Sequence, residues 1–263
     1  MFSIRPTKIP ICHRKSLQTR CYSVGTSSEA LGTLKAHVLA SVAPLDKGLL
    51  GTQEQAQAIE DQVFALLDVS KPVRLDSNST TMHPSMLEGA WTLLYSSEFV
   101  PGNAKFPGNY PILSNNRMPF VSFLPKIKAV EQIIDCERKR LDNVVLIELR
   151  PAVLDGLLPN PPPGAQVSLG HSYQIYGAQT MKITYDESSF KGIGGLNNWL
   201  ERLPDLSLGV GSNNDVFSAI ANMPALDDYR SSSFDVVYLD EDIRITRGDR
   251  GEIRIFLRKG INK

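Results

Sequence analysis

The sequence predicts a mainly β protein, an eight-stranded antiparallel barrel preceded by an N-terminal helical hairpin. Two observations carry this. Eight short runs beyond residue 88 show apolar residues at every second position, the period that puts alternate side chains on opposite faces of a strand. Before them, two stretches between residues 29 and 70 repeat apolar residues at helical spacing instead.

Taken in order, residues 1–28 carry Arg5, Lys8, Arg14, Lys15 and Arg20, with no acidic residue before Glu29. That composition, without an apolar core, is that of an organelle transit peptide. The run Arg20-Cys21-Tyr22-Ser23 also fits a mitochondrial processing site, so composition leaves the organelle open. Removing those five from 28 basic residues leaves 23 against 28 acidic ones. A mildly acidic chain is a poor match for nucleic acid, whose phosphates demand a basic surface. No run approaches the roughly 20 apolar residues of a membrane span.

Residues 29–70 form the hairpin. Leu31, Leu34, Val38, Leu39 and Val42 make the first stripe, which Pro44 ends. Thr52 followed by Gln55 is a capping box opening the second helix, whose stripe is Ala56, Ile59, Val63, Leu66 and Leu67. The barrel takes residues 71–263. Its strands are expected at 90–97, 126–136, 143–150, 166–176, 179–186, 234–239, 243–247 and 252–258. Residues 71–84, 100–125 and 159–164 are rich in Pro, Asn, Ser or Gly and read as connections. Gly177-Ala178 and the two glycines of Arg247-Gly248-Asp249-Arg250-Gly251 supply hairpin turns.

An eight-stranded barrel encloses a space that side chains fill or one small ligand occupies. With the larger apolar parity turned inward, Trp91, Leu93, Tyr95, Tyr173, Ile175, Met181, Ile183, Phe234, Val236 and Tyr238 line it. Burying a ligand chain of about ten carbons there gains about 8 kcal/mol before the costs of ordering. Between the fifth and sixth strands, Leu196, Trp199, Leu200 and Leu203 stand at helical spacing behind a glycine cluster. They read as a helix that caps the barrel, or as a lid or lipid contact.

No catalytic constellation stands out. Gly170-His171-Ser172-Tyr173 lacks the flanking of a nucleophile elbow, and His171 reads as a hydrogen-bonded strand histidine. Asp240-Glu241-Asp242 lacks calcium-loop spacing and reads as a solvated turn ion-paired to Arg244 and Arg247. Cys136, the one cysteine after residue 28, has no disulfide partner or zinc spacing. Neither metal nor cofactor is implied.

The segment YLDEDIRITRGDRGEIRIF, from Tyr238 to Phe256, resembles the C-terminal signature of the plastid lipid-associated proteins, or fibrillins. Leu87-Glu88-Gly89-Ala90-Trp91-Thr92-Leu93-Leu94-Tyr95-Ser96-Ser97 is similar to that family's first barrel strand, and Gly89-Ala90-Trp91 fits the Gly-x-Trp opening of lipocalins. The resemblance runs from about Leu31 to the C-terminus and implies a lipocalin-like barrel in a plastid, a mitochondrion being the less favoured address. It implies a non-enzymatic role: binding or carrying an apolar molecule such as a prenylquinone, carotenoid or fatty acid at plastoglobules or thylakoids. The alternative is a structural coat or scaffold on plastid lipid globules that recruits enzymes. Asp240, Asp242, Arg244 and Arg247 match the signature, which implies a place near the ligand mouth. Arg254 departs from it, on what reads as an outer face.

Overall fold

The computed structural model describes residues 27–76, 86–102, 123–151, 164–194 and 231–260. Residues 1–26 of the expected transit peptide, the 196–203 segment and most of the expected connections lie outside them.

Two helices come first, α1 (Ser27–Val42) and α2 (Gln53–Val69). The expected capping box opens α2: the Thr52 hydroxyl accepts from the Gln55 N–H at 3.3 Å, and the Gln55 side chain accepts from the Thr52 N–H at 2.9 Å. Between the helices the chain passes through a left-handed turn at Asp46–Gly48 and lies beside the first strand. The Ser96 N–H donates to the Lys47 carbonyl at 3.0 Å. Gly48, at φ +105°, is needed here twice over: its backbone is left-handed, and a Cβ would stand 2.5 Å from the Ser96 carbonyl oxygen.

Among the described residues eight strands come next: β1 (Gly89–Ser96), β2 (Phe123–Asp135), β3 (Arg140–Pro151), β4 (Gly164–Tyr176), β5 (Thr180–Ile193), β6 (Ser231–Leu239), β7 (Ile243–Gly248) and β8 (Ile253–Arg258). Each pairs antiparallel with the next, and β8 pairs with β1, so the sheet closes on itself. The protein is thus mainly β and antiparallel, with a helical pair in front, as the sequence predicts.

Several bounds differ, for physical reasons. β5 runs seven residues past its expected end because Asp186 is bulged out: His171 pairs with Tyr185 and Gly170 with Glu187. The bulge interrupts the alternation, and the extension opens on Glu187, Ser188 and Ser189, which are exposed, so no apolar residue marks its start. β2 begins earlier than expected, with Pro125 paired to Leu149 near the strand's start, where a missing donor is tolerated. Of the two turn glycines, only Gly251 takes a positive φ, +85°. Gly248 belongs to β7 and is small for another reason: a Cβ there would overlap the Glu252 carboxyl group.

Two cores result. One fills the interior of the closed sheet, around Trp91, Leu93, Ile134, Leu141, Met181, Phe234 and Phe256. The other lies outside it, where Val38, Val42, Ile59, Val63 and Leu66 of the helices cover Tyr95, Tyr238, Ile243, Ile245, Ile253 and Ile255. No described helix is long and apolar enough to cross a membrane.

Candidate functional site

The interior is built by alternate positions of six strands. Leu93, Val130, Ile183, Phe234 and Phe256 supply apolar walls, and Gln132, Asn143, Ser232 and Arg254 add polar groups around a cavity of about 20 Å³. That volume holds about one water molecule.

Trp91 belongs to the same interior core. It is fully buried, and its indole N–H donates to the Leu87 carbonyl at 2.9 Å. Two guanidinium groups stand over the ring, Arg258 at 4.1 Å and Arg244 at 5.0 Å; Arg244 also lies 4.5 Å from the Phe256 ring. Their surroundings differ. Arg258 donates to the backbone carbonyls of Glu241, Glu88 and Met86. Arg244 is fully buried, and its Nη2 donates to the Gln132 side-chain oxygen, while its Nε and Nη1 have no partner among the described residues. Burial, and then the charge of Arg258, pushes its pKa down to about 9, so it remains a cation at neutral pH.

The polar line continues. Gln132 Nε2 donates to Asn143 Oδ1 at 2.8 Å, and the Asn143 Nδ2 is itself buried without a partner among the described residues. A second buried cluster balances its own charge: Glu98 pairs with Arg250 at 2.8 Å and with Arg254 at 2.9 Å, and Arg254 also pairs with Glu252 at 2.9 Å.

The expected lining set divides. Trp91, Leu93, Tyr173, Met181, Ile183, Phe234 and Val236 belong to the interior core, with Ile175 packed against it. Tyr95 and Tyr238 do not share that face, which corrects their placement. Leu94 in β1 and Val237 in β6 are skipped in the pairing, and each bulge reverses the parity beyond it. Both tyrosines therefore lie under the helices. The Tyr238 hydroxyl donates to Asp240 at 2.9 Å. The buried Tyr95 hydroxyl has no partner among the described residues, and burial together with the Glu60 charge pushes its pKa up to about 12.

The acidic turn is corrected too. Lys35 of α1, rather than Arg244 or Arg247, pairs with Asp240 at 2.8 Å and Asp242 at 2.7 Å. Asp240 closes the turn by accepting from the N–H groups of Asp242 and Ile243, both at 2.8 Å. Arg244 points inward, opposite the helix-covered Ile243 and Ile245. Arg247 reaches α2 instead, 5.8 Å from the Phe64 ring. Arg254 lines the cavity and is not on the outer face. Leu196, Trp199, Leu200 and Leu203 lie outside the described residues. His171 is buried, with Nδ1 3.2 Å from the Leu141 carbonyl and its ring edge-on to Tyr185. Cys136 is half-buried. No described group of three or more His, Cys, Asp or Glu residues could hold a metal ion.

Sequence reasoning missed Gln132, Asn143, Glu98 and Glu252. A signal existed for the first two: both are amides at core-parity positions of otherwise apolar strands, flanked by Val130 and Ile134 and by Leu141 and Val145. Glu98 and Glu252 stand at strand ends, where a carboxylate reads as solvated.

A closed antiparallel sheet around a small cavity with an apolar wall and a few convergent polar groups defines a class of protein that encloses an internal space. Comparison with known proteins gives the particular family. The PAP_fibrillin family model matches residues 32–257, and the chain belongs to that family of plastid lipid-associated proteins. It is 31% identical to plastid-lipid-associated protein 6 of Arabidopsis thaliana over 231 residues, 86% of this chain and 70% of that one. It is 25% identical to plastid lipid-associated protein 2 of Brassica campestris, over 89% of this chain and 71% of that one. A light-induced protein of Solanum tuberosum is 21% identical over 86% of this chain and 67% of its own length. All three are named chloroplastic, and the plastid address expected from the sequence stands with them.

Proposed function

We propose that the closed sheet is a lipocalin-like barrel and that the protein is a non-catalytic carrier of small apolar molecules at plastid lipid surfaces. The observation that supports this most is the mixed lining of the interior. Aliphatic and aromatic walls meet the amide of Gln132, the guanidinium of Arg254 and a buried Asn143 amide N–H group that no described protein group satisfies, whereas a core evolved only for packing leaves few such groups. A cavity of about 20 Å³ is too small for a prenylquinone, a carotenoid or a fatty acid. Binding therefore requires Phe234, Phe256 or their neighbours to move aside. Relatives named for association with plastid lipid agree with a lipid-facing role.

The second reading is a coat or scaffold on lipid globules. It draws on Ile133 and Leu257, apolar residues 41% and 38% exposed that flank β1 on the outside of the sheet. Native mass spectrometry separates the two readings. After exposure to a plastid lipid extract, the carrier should retain one apolar molecule per chain. A bare chain that floats with lipid vesicles would replace the carrier reading with the coat.

A further inference from the structure

We propose that the interior selects an apolar molecule carrying a single carboxylate, with Arg244 and Asn143 as the residues that receive its oxygens. This rests on the carrier reading above and specifies the chemistry of its ligand.

The argument begins with hydrogen-bond direction. Arg244 donates to the Gln132 oxygen, Gln132 donates to the Asn143 oxygen, and Asn143 is left with its amide N–H groups. The groups at the two ends of this line are Nε and Nη1 of Arg244 and Nδ2 of Asn143. Each is a donor and none can accept. The complement of such a set is an atom that only accepts: an ionised or carbonyl oxygen.

Charge narrows the choice. Glu98 and Glu252 are matched by Arg250 and Arg254. Arg258 is bonded to backbone carbonyls and is partly exposed. That leaves Arg244, set behind the cavity-lining Gln132 rather than on the cavity wall itself, as a fully buried cation with no carboxylate at ion-pair distance among the described residues. An isolated charge in such a place is strongly disfavoured and is relieved by one opposite charge. A monoanion restores balance, whereas a phosphate dianion would leave a surplus negative charge in the same low-dielectric space.

The walls fix the rest of the molecule. Leu93, Val130, Ile183, Phe234 and Phe256 offer the cavity nothing but hydrocarbon. A hydrophilic anion would lose its hydration against them without return, while an alkyl or prenyl chain gains from each buried methylene. Arg244 also sits against the rings of Trp91 and Phe256, which hold its fork in one orientation before any ligand arrives.

The test compares decanoate with methyl decanoate, by calorimetry on the full chain at neutral pH. The ester keeps the chain and the carbonyl, loses the charge and adds one methyl group. Decanoate should bind tighter by about tenfold or more, the factor carried by one charge-assisted hydrogen bond. Arg244→Met, which keeps an apolar stem against Trp91, should bring the ratio to near one without abolishing ester binding. Asn143→Leu should lower the ratio several-fold and serves as the second variant should Arg244→Met fail to fold. Equal affinities for acid and ester in the unmodified protein would overturn this inference and leave the carrier reading intact. So would a ratio unmoved by the folded variants. Binding of neither ligand would overturn both, and would make the interior a packed core in which water meets the free donors.

Discussion

One chemical change made at two tyrosines should have opposite effects. Tyr95 and Tyr238 lie in the same core beneath the helices, and each is nearly inaccessible to solvent. Replacing either by Phe removes one oxygen and leaves the ring. At position 238 that oxygen donates to the Asp240 carboxylate at 2.9 Å; a bond to a charged acceptor contributes about 1.5–3 kcal/mol. At position 95 the hydroxyl is buried with no partner among the described residues, and relieving an orphaned polar group returns about 1 kcal/mol. In a chain of this size each kcal/mol moves Tm by about 2–4 °C. Tyr238→Phe should therefore melt about 3–12 °C lower than the unmodified protein, and Tyr95→Phe about 2–4 °C higher. Urea unfolding followed by circular dichroism gives the free energies, and differential scanning calorimetry gives the midpoints. Neither variant should alter decanoate binding, because neither side chain reaches the interior. Shifts of the same sign, or a change in ligand affinity at either position, would refute the placement of these residues by the two bulges.

Gly248→Ala should destabilise by about 2 kcal/mol or more, since the new methyl displaces the buried Glu252 carboxylate from Arg254. The loss should shrink markedly in a Glu252→Ala background, as urea melts of the four combinations will show. The docking of α1 should weaken in acid. Burial alone would raise the Asp240 pKa, but the Ile243 N–H, Lys35, the Asp242 N–H and the Tyr238 hydroxyl outweigh it and hold the value below 3.8. A carboxylate depressed on folding stabilises the protein above its unfolded pKa, and that contribution is lost as pH falls through the folded one. The acid limb of a Tm-against-pH profile should accordingly flatten in Asp240→Asn.

The helical pair is legible in the sequence because its signals are local: the 3.6-residue stripes, Pro44, and the reciprocal contact of Thr52 and Gln55. The strands are legible by their alternation, and the first-strand and C-terminal matches are specific enough to give the family. Four bulges are not legible. An extra residue at Leu94, Lys128, Asp186 or Val237 leaves no mark in composition, because each also occurs in regular strands. Yet each reverses the parity of the residues beyond it, and unbroken alternation therefore assigns Tyr95 and Tyr238 to the wrong face. Arg244 is hidden for a different reason. Set just after Asp240-Glu241-Asp242 with Arg247 beyond it, an arginine reads as one more member of a solvated ion-pair turn. The position of Lys35, some two hundred residues away in the chain, decides otherwise.

Alternation announces two faces, and it does not say which one is inside. On β7 and β8 the apolar series Ile243, Ile245, Ile253 and Ile255 turns outward, because α1 and α2 cover that face. The series between them, Arg244, Thr246, Arg254 and Phe256, turns inward. A helical cover therefore inverts the usual reading: the greasier face is structural, and the more polar one is available for chemistry. This accounts for a C-terminal stretch that interleaves isoleucine with arginine. It could not do so on a sheet with one face in water, where the arginines would be solvated and the interior merely apolar. The two faces of this stretch therefore serve different ends. Losing an isoleucine there loosens the helices, whereas losing Arg244 or Arg254 alters the space the sheet encloses.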